Sequence, residues 1–403
     1  MTTDATGTVR APAEFLNDTV RNIHPSGIRR FFDMLAEMKD VISLTIGEPD
    51  FTTPEPLTRA AIAALEAGET HYTANGGMIE LRELVAANLA SRYGVRYEPR
   101  GELVITVGAS EGLDATLRAI INPGDEVIYH EPCFVAYGPC ITLAGGVPVA
   151  LSTSDATDFR VTAEQIEAVI TPRTKAIFLG YPNNPTGAVL DADQLAAIGD
   201  VAERHDLLVI SDEIYDRLVY SDHRHTAFSS LPRMRDRTVL IGGFSKAYAM
   251  TGWRIGYVAA PAALMEGIAK VHQYGIMCAP TAAQHAAIAA LQVGEPYVQQ
   301  MLAEYDRRRQ LMVRRLNEIG LLCFEPMGAF YAFPEVTAAT GLSAEDFAQQ
   351  LLAEEHVAVV PGEAFGPSGA GHVRVCYATA YEQIEEAMDR IERFVGTRRR
   401  NAA

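Results

Sequence analysis

Ala176-Ile177-Phe178-Leu179, Leu207-Leu208-Val209-Ile210 and Val239-Leu240-Ile241 are three short, continuously apolar runs. Polar residues do not alternate within them, so each suits a strand buried on both faces. The stretch Ala192–His205, between the first two, has helical character. Strands alternating with helices predict a mostly parallel sheet with helix-lined faces. The alternation continues toward the N-terminus. Glu126–Tyr129 and Leu103–Val107 read as strands, and the stretch from Gly108 through Ile121 as a helix. Met78–Tyr93 and the segment from Thr53-Pro54 to Gly68 read as further helices, the latter with Pro near its first position. Val41–Ile46 reads as another strand.

The character changes near residue 290. Tyr297–Ile319 predicts a long helix, followed by Ala329–Phe333, the helix Ala344–Glu354, Val357–Val360, Val373–Tyr377 and the helix Tyr381–Val395. The expected class is α/β: a large unit with a mostly parallel sheet flanked by helices, plus a smaller α+β unit from the C-terminal part and the N-terminal segment. The expected division is an N-terminal segment at 1–50 packing on the small unit, a large unit at 51–290 and a small unit at 291–403. The tails, to Ala11 and from Thr397, are expected to fray.

Composition excludes several classes. Of 403 residues, 48% are hydrophobic and 21% charged, an ordinary globular mix. Lys plus Arg number 34 and Asp plus Glu 51, a net charge of −17. So acidic a chain is a poor partner for nucleic acid or an anionic membrane. An anionic ligand must be held by a local cluster of donors. Five scattered cysteines without a CxxC pattern read as reduced thiols in a cytoplasmic protein. Neither a signal peptide nor an apolar stretch of roughly 20 residues is expected.

Three stretches carry the chemistry, and each follows a predicted strand. The first is Gly243-Phe244-Ser245-Lys246-Ala247-Tyr248-Ala249-Met250-Thr251-Gly252-Trp253-Arg254-Ile255-Gly256. A lone lysine is ordinarily a solvated surface group. Lys246, however, lies just after a buried strand among small and apolar residues. Desolvation there favours the neutral amine that Schiff-base chemistry requires, and Arg254 is a planar donor suited to a phosphate. The second stretch, Tyr181-Pro182-Asn183-Asn184-Pro185-Thr186-Gly187, also reads as a simple turn. The third, Ser211-Asp212-Glu213-Ile214-Tyr215, places a carboxylate where a buried strand ends, which is costly without a cation or donor; it also reads as a helix cap. In a parallel sheet all three fall at the carboxyl ends of strands, where ligands bind.

Taken together and in this order, these motifs resemble those of the fold-type I pyridoxal-phosphate enzymes, the class I/II aminotransferases. The similarity covers about residues 25–396. It is nearest to a bacterial branch of aspartate, aromatic and acetyl-diaminopimelate aminotransferases. The resemblance implies pyridoxal 5′-phosphate as cofactor. It implies that Lys246 carries the internal aldimine and then moves the proton from the substrate α-carbon. Asp212 corresponds to the carboxylate on the pyridine nitrogen, Asn184 and Tyr215 to donors toward the phenolic oxygen, and Phe134 to the ring-stacking aromatic. Ala109, Ser110 and Glu111, at a helix N-terminus, correspond to the phosphate loop, with Glu111 in a backbone role; Ser245 and Arg254 complete the phosphate site. Tyr72 corresponds to a tyrosine reaching the neighbouring subunit's phosphate, which implies a homodimer with shared sites. Arg374 corresponds to the clamp on the substrate α-carboxylate, with Gly47 closing over it.

Two departures stand out. Gly243 replaces a hydroxyl found in some relatives, and the stretch Gly275–Ala283 lacks the arginine that some dicarboxylate-specific relatives use. Arg29 or Arg30 could supply that charge, and Tyr72, Phe134 and Tyr274 could form a partly apolar pocket. The implied activity is a ping-pong transfer from an acidic, aromatic or similar L-amino acid to a 2-oxo acid such as 2-oxoglutarate. The alternative is a C–S β-lyase on the same fold. No metal is expected. A regulator with an added DNA-binding domain is disfavoured, because only about 25 residues precede the resemblance.

Overall fold

The computed structural model describes residues 11–23 and 40–402. Its strands in chain order are β1 (Ile42–Ser43), β2 (Leu103–Thr106), β3 (Glu126–Glu131), β4 (Val147–Ser152), β5 (Thr174–Gly180), β6 (Leu208–Asp212), β7 (Thr238–Gly243), β8 (Gly256–Ala259), β9 (Tyr331–Ala332), β10 (Val357–Ala358), β11 (Val360–Pro361) and β12 (Val373–Cys376). Seven form one sheet in the order β2-β8-β7-β6-β5-β3-β4. Every pairing in it is parallel except the two made by β8. Residues 176–179 and 209–210 are buried, as expected for strands covered on both faces. The expected α/β fold is therefore present.

A second core surrounds the long helix Glu295–Ile319, packing Tyr305, Met312 and Leu316 against Phe330, Val375 and the helix beginning at Tyr381. Its strands are the antiparallel set β11-β12-β9 and the parallel pair β1-β10.

Several predicted elements are shorter or longer than expected. Val41–Ile46 pairs as a strand only at Ile42–Ser43; beyond Leu44 the backbone carbonyls of Thr45 and Gly47 turn to side chains of the cavity described below. The predicted strand Ala329–Phe333 contracts to Tyr331–Ala332, because Ala329 has φ 57° and its carbonyl accepts the Tyr220 hydroxyl. Val357–Val360 divides, since Val357 and Ala358 pair with β1 while Val360 pairs with β12. The C-terminal tail does not fray at Thr397: the helix runs Tyr381–Ala402, with Arg398 bound to Glu354 and Gln350. β4 and β8 were not foreseen. β4 is an edge strand, where Pro148 is tolerated, and β8 is hidden in sequence behind the lysine motif.

Candidate active site

The carboxyl ends of β2, β3, β5, β6 and β7 lie along one edge of the sheet. Because β8 runs antiparallel, its amino end lies on the same edge, with Gly243 opposite Gly256 in register. A cavity of about 330 Å³ opens there. Its lining includes Gly47, Ala109, Ser110, Phe134, Asn184, Asp212, Tyr215, Ser245, Lys246, Arg254 and Arg374. Segments more than 300 residues apart in sequence thus converge. Glu111 and Tyr72 are not among the lining residues, and neither is Tyr274.

Asp212 ends β6, and its register partners, Gly180 on β5 and Ile241 on β7, hold it level with its neighbours. It is buried, and it accepts hydrogen bonds from the Tyr137 hydroxyl at 2.9 Å and the Ile214 N–H at 3.2 Å. Burial is the largest influence on it and raises its pKa to about 6, against the lowering effect of those two donors. Such a carboxylate is held ready for a cationic partner. Tyr137 is itself fixed between Phe178, at 4.0 Å between ring centroids, and Phe134 at 5.8 Å.

Lys246 follows β7. Its Nζ donates to the Gly47 carbonyl at 2.6 Å. No carboxylate pairs with it among the described residues. Burial, followed in its lowering effect by Arg374, pushes its pKa down to about 8. A substantial fraction of neutral amine near physiological pH suits nucleophile and base chemistry. The amine also lies 5.7 Å from the centre of the Tyr215 ring and 5.6 Å from that of Phe330.

At the opposite end is the helix Gly108–Ile120, which begins without a side-chain cap. Its first N–H groups have no intrahelical partners, and Ala109 and Ser110 line the cavity together with Ser245 and Arg254. Arg254 adopts a left-handed conformation, φ 50°. A Cβ on Gly108 would lie 2.6 Å from its guanidinium, so only glycine permits this approach. Glu111 turns away: its carboxylate accepts the Val107 N–H at 2.8 Å and meets His272 at 2.9 Å. This leaves only the backbone of that position for the cavity.

Arg374, on β12, is buried. It donates to Asn184 Oδ1 at 2.9 Å and to the Thr45 carbonyl at 2.6 Å, and its Nε has no partner among the described residues. The guanidinium lies 4.5 Å over the Tyr331 ring. Tyr331 also shares a 2.8 Å hydroxyl–hydroxyl bond with Tyr215, whose pKa burial raises well above the ordinary tyrosine value. A Cβ on Gly47 would meet the Tyr331 hydroxyl at 2.6 Å.

These donors fit pyridoxal phosphate. A buried carboxylate and an amine of depressed pKa line one cavity, and an uncapped helix end with a hydroxyl and a guanidinium offers an anion site. Arg374, with one buried polar atom unpartnered, is a cation awaiting an anion. Tyr331 and Tyr137 were not foreseen from sequence. Tyr137 lies three residues beyond Phe134, one helical step, which was the available signal; Tyr331 lay inside an apolar run and carried none.

Tyr72 is 81% exposed and Tyr274 87% exposed. Neither lines its own chain's cavity, whose apolar lining includes Phe134, Leu113, Pro182 and Ile214. Arg29 and Arg30 lie outside the described residues. Among the described residues no group of acidic, histidine or cysteine side chains could hold a metal, and no helix is long and apolar enough to cross a membrane.

Comparison with known proteins agrees with this geometry. The sequence profile of the family described as "Aminotransferase class I and II" matches residues 39–391. A putative aminotransferase, YugH, of Bacillus subtilis is 51% identical over 94% of this chain and 98% of its own. The aspartate aminotransferase of Pyrococcus abyssi is 46% identical over 94% and 97%. The crystal structure of an aromatic aminotransferase from Pyrococcus horikoshii superposes with a TM-score of 0.87 at 45% identity, covering 92% of this chain and 99% of that one. These relatives do not favour the C–S β-lyase alternative. A parallel sheet with one antiparallel strand, a lysine beside a buried carboxylate and matches across nearly the whole length lead to one conclusion: the chain belongs to the class I and II aminotransferases, transferases that use pyridoxal 5′-phosphate.

Proposed function

We propose that this aminotransferase moves the amino group of an acidic, aromatic or similar L-amino acid to a 2-oxo acid such as 2-oxoglutarate by a ping-pong double displacement. The amino acid leaves its nitrogen on the enzyme, and the 2-oxo acid collects it. One observation carries this reading: Gly47 touches both ends of the reaction. Its carbonyl accepts Lys246 Nζ at 2.6 Å, and a Cβ on it would lie 3.6 Å from Arg374 Nη1. A substrate whose α-carboxylate sits on Arg374 therefore has its α-carbon within reach of the amine.

Bound pyridoxal phosphate supplies an electron sink for the carbanion formed at the α-carbon. Asp212 would face the ring nitrogen and favour its protonated form. Asn184 and Tyr215 would face the phenolic oxygen, Phe134 would cover the ring, and Ala109, Ser110, Ser245 and Arg254 would hold the phosphate, with Glu111 contributing only backbone to the cavity. Arg374 orients the α-carboxylate with a planar donor fork, and Lys246 Nζ takes the proton from the α-carbon. Relatives named for aspartate and for aromatic amino acids both align across this chain, which supports a broad donor range. The test is a panel of amino acids with 2-oxoglutarate, scoring glutamate and the new 2-oxo acid. Activity confined to aspartate would refute the breadth, and pyruvate with ammonia released without any acceptor would refute the transfer reading.

The same reading has the 51–290 unit hold the cofactor while 291–403, with the N-terminal segment to residue 50, closes over it; the β1–β10 pairing supports that segment's place. It makes the enzyme a two-fold homodimer in which Tyr72 reaches the partner's phosphate. Support comes from the exposure of Tyr72 beside other exposed apolar residues, Tyr274, Ile276 and Met277, with the two segments joined by Asn75 and Met277 at 2.9 Å. Sedimentation of the active enzyme should give a dimer; a fully active monomer would refute the shared site. Five free cysteines, three of them buried, suit a reducing compartment such as the cytoplasm.

A further inference from the structure

His272 lies on the helix Ala262–Gly275, outside the cavity, with its side chain 1% exposed. Both of its ring nitrogens face oxygen acceptors. Nδ1 lies 2.9 Å from Glu111 Oε1, and Nε2 lies 2.8 Å from the Asn75 carbonyl oxygen. The second Glu111 oxygen accepts the N–H of Val107, the residue that caps the helix Gly108–Ile120. One imidazole thus connects the start of the anion-facing helix to the loop that carries Tyr72. The surrounding charges are paired elsewhere: Asp114 with Arg118 at 2.8 Å, and Lys270 with Glu266 at 2.7 Å.

A backbone carbonyl cannot donate, and neither can an ionised carboxylate. With Glu111 ionised, both contacts require the doubly protonated ring. Burial is the largest influence on His272 and lowers its pKa, but the hydrogen bond and charge of Glu111, with the Asn75 carbonyl, outweigh it and leave the pKa above the ordinary value. This is a buried, charge-assisted chain of bonds, the strong kind.

We propose that His272 is a positioning residue for the phosphate end of the cofactor: bonded to Glu111 and Asn75, it fixes the Val107–Ser110 turn at its own chain's anion site and, tied to that turn, the loop that carries Tyr72 toward the partner's. The proposal rests on reading that helix end as the phosphate site. It assigns a role to Glu111 beyond its backbone, since the carboxylate links the imidazole to the turn. It also predicts which substitution is tolerated. In Glu111→Gln, a neutral His272 can accept from the new amide and still donate to Asn75, while the amide oxygen accepts from Val107. All three bonds survive without charge.

The experiment titrates the full-length apoenzyme with three probes: pyridoxal 5′-phosphate, pyridoxal and inorganic phosphate. In His272→Ala, affinity for pyridoxal 5′-phosphate and for inorganic phosphate should fall about tenfold or more, the scale of losing a buried charge-assisted bond, while affinity for pyridoxal stays unchanged. Glu111→Ala should behave alike, and Glu111→Gln, which keeps the side chain's volume, should bind as the wild type does. Wild-type phosphate affinity in both alanine variants would overturn the proposal. So would an equal loss for pyridoxal and its phosphate, which marks a packing role, or a Glu111→Gln variant as weak as Glu111→Ala. If the wild type itself binds pyridoxal as tightly as pyridoxal 5′-phosphate, the underlying phosphate-site reading fails instead.

Discussion

Replacing the lysine should make the apoprotein more stable. In the folded chain the Lys246 amine is buried, has no carboxylate partner among the described residues and makes one hydrogen bond, to Gly47. Its pKa falls from the ordinary 10.5 to about 8. At about 1.4 kcal/mol per pH unit, holding the ammonium in that site costs the apoprotein about 3 kcal/mol at pH 7. Methionine has similar length and no charge. Lys246→Met removes that cost and loses one hydrogen bond worth about 1 kcal/mol, so the variant should gain about 2 kcal/mol at pH 7. Because the native pKa lies below the unfolded one, the unfolded chain binds more protons between about pH 8 and 10.5. Wild-type stability therefore rises with pH across that window, and the advantage of the variant should be nearly gone by pH 10. Urea unfolding of both apoproteins at equal protomer concentration, from pH 7 to 10, measures the difference; tyrosines titrating at high pH are common to both and cancel. An advantage that does not change with pH, or a variant less stable throughout, would refute the reading of Lys246 as a buried ammonium held without a carboxylate partner.

Asp212→Asn should bind the cofactor yet lower the rate of the first half-reaction about a hundredfold or more, on the scale of a well-placed proton-holding group; single-turnover absorbance with one amino acid measures it. Arg374→Ala should keep the visible band of the bound cofactor while losing about 2–4 kcal/mol in kcat/KM; wild-type kcat/KM toward every donor would show that the clamp is misassigned. Tyr331→Phe removes the partner of the Tyr215 hydroxyl, costing about 1 kcal/mol. It should shift the pH at which the visible band changes and leave phosphate affinity alone, and an identical absorbance titration would sink the coupling between the two tyrosines.

The large sheet was legible because burial on both faces leaves a mark in sequence. β5, β6 and β7 read as continuous apolar runs. Of the two strands that were missed, β8 is as buried as those but runs on directly from the lysine motif, which masked it in sequence, and β4 lacks that burial except at Leu151. β4 is at the edge, mostly exposed and interrupted by Pro148. The ends of the small-unit strands are set by long-range events: Ala329 turning its carbonyl to Tyr220, and Val357 and Val360 choosing different partners. No local window contains those partners.

The site divides along the same line. Lys246, Asp212 and Asn184 each follow a buried strand, so their sequence context already placed them on one edge. Arg254 does not share that logic, since it precedes its strand; it reaches the edge only because β8 runs against the other six. Arg374 and Gly47 come from the second core and meet Lys246 across the cavity. His272 and Tyr331 were silent in sequence because they act through partners roughly 160 and 116 residues away in the chain. A side chain whose role is to hold another reports itself only when both are seen together. For such residues the pair is the unit of inference: an acidic side chain at a helix end read as a phosphate site, Glu111, is accounted for only once His272 is seen to hold its carboxylate.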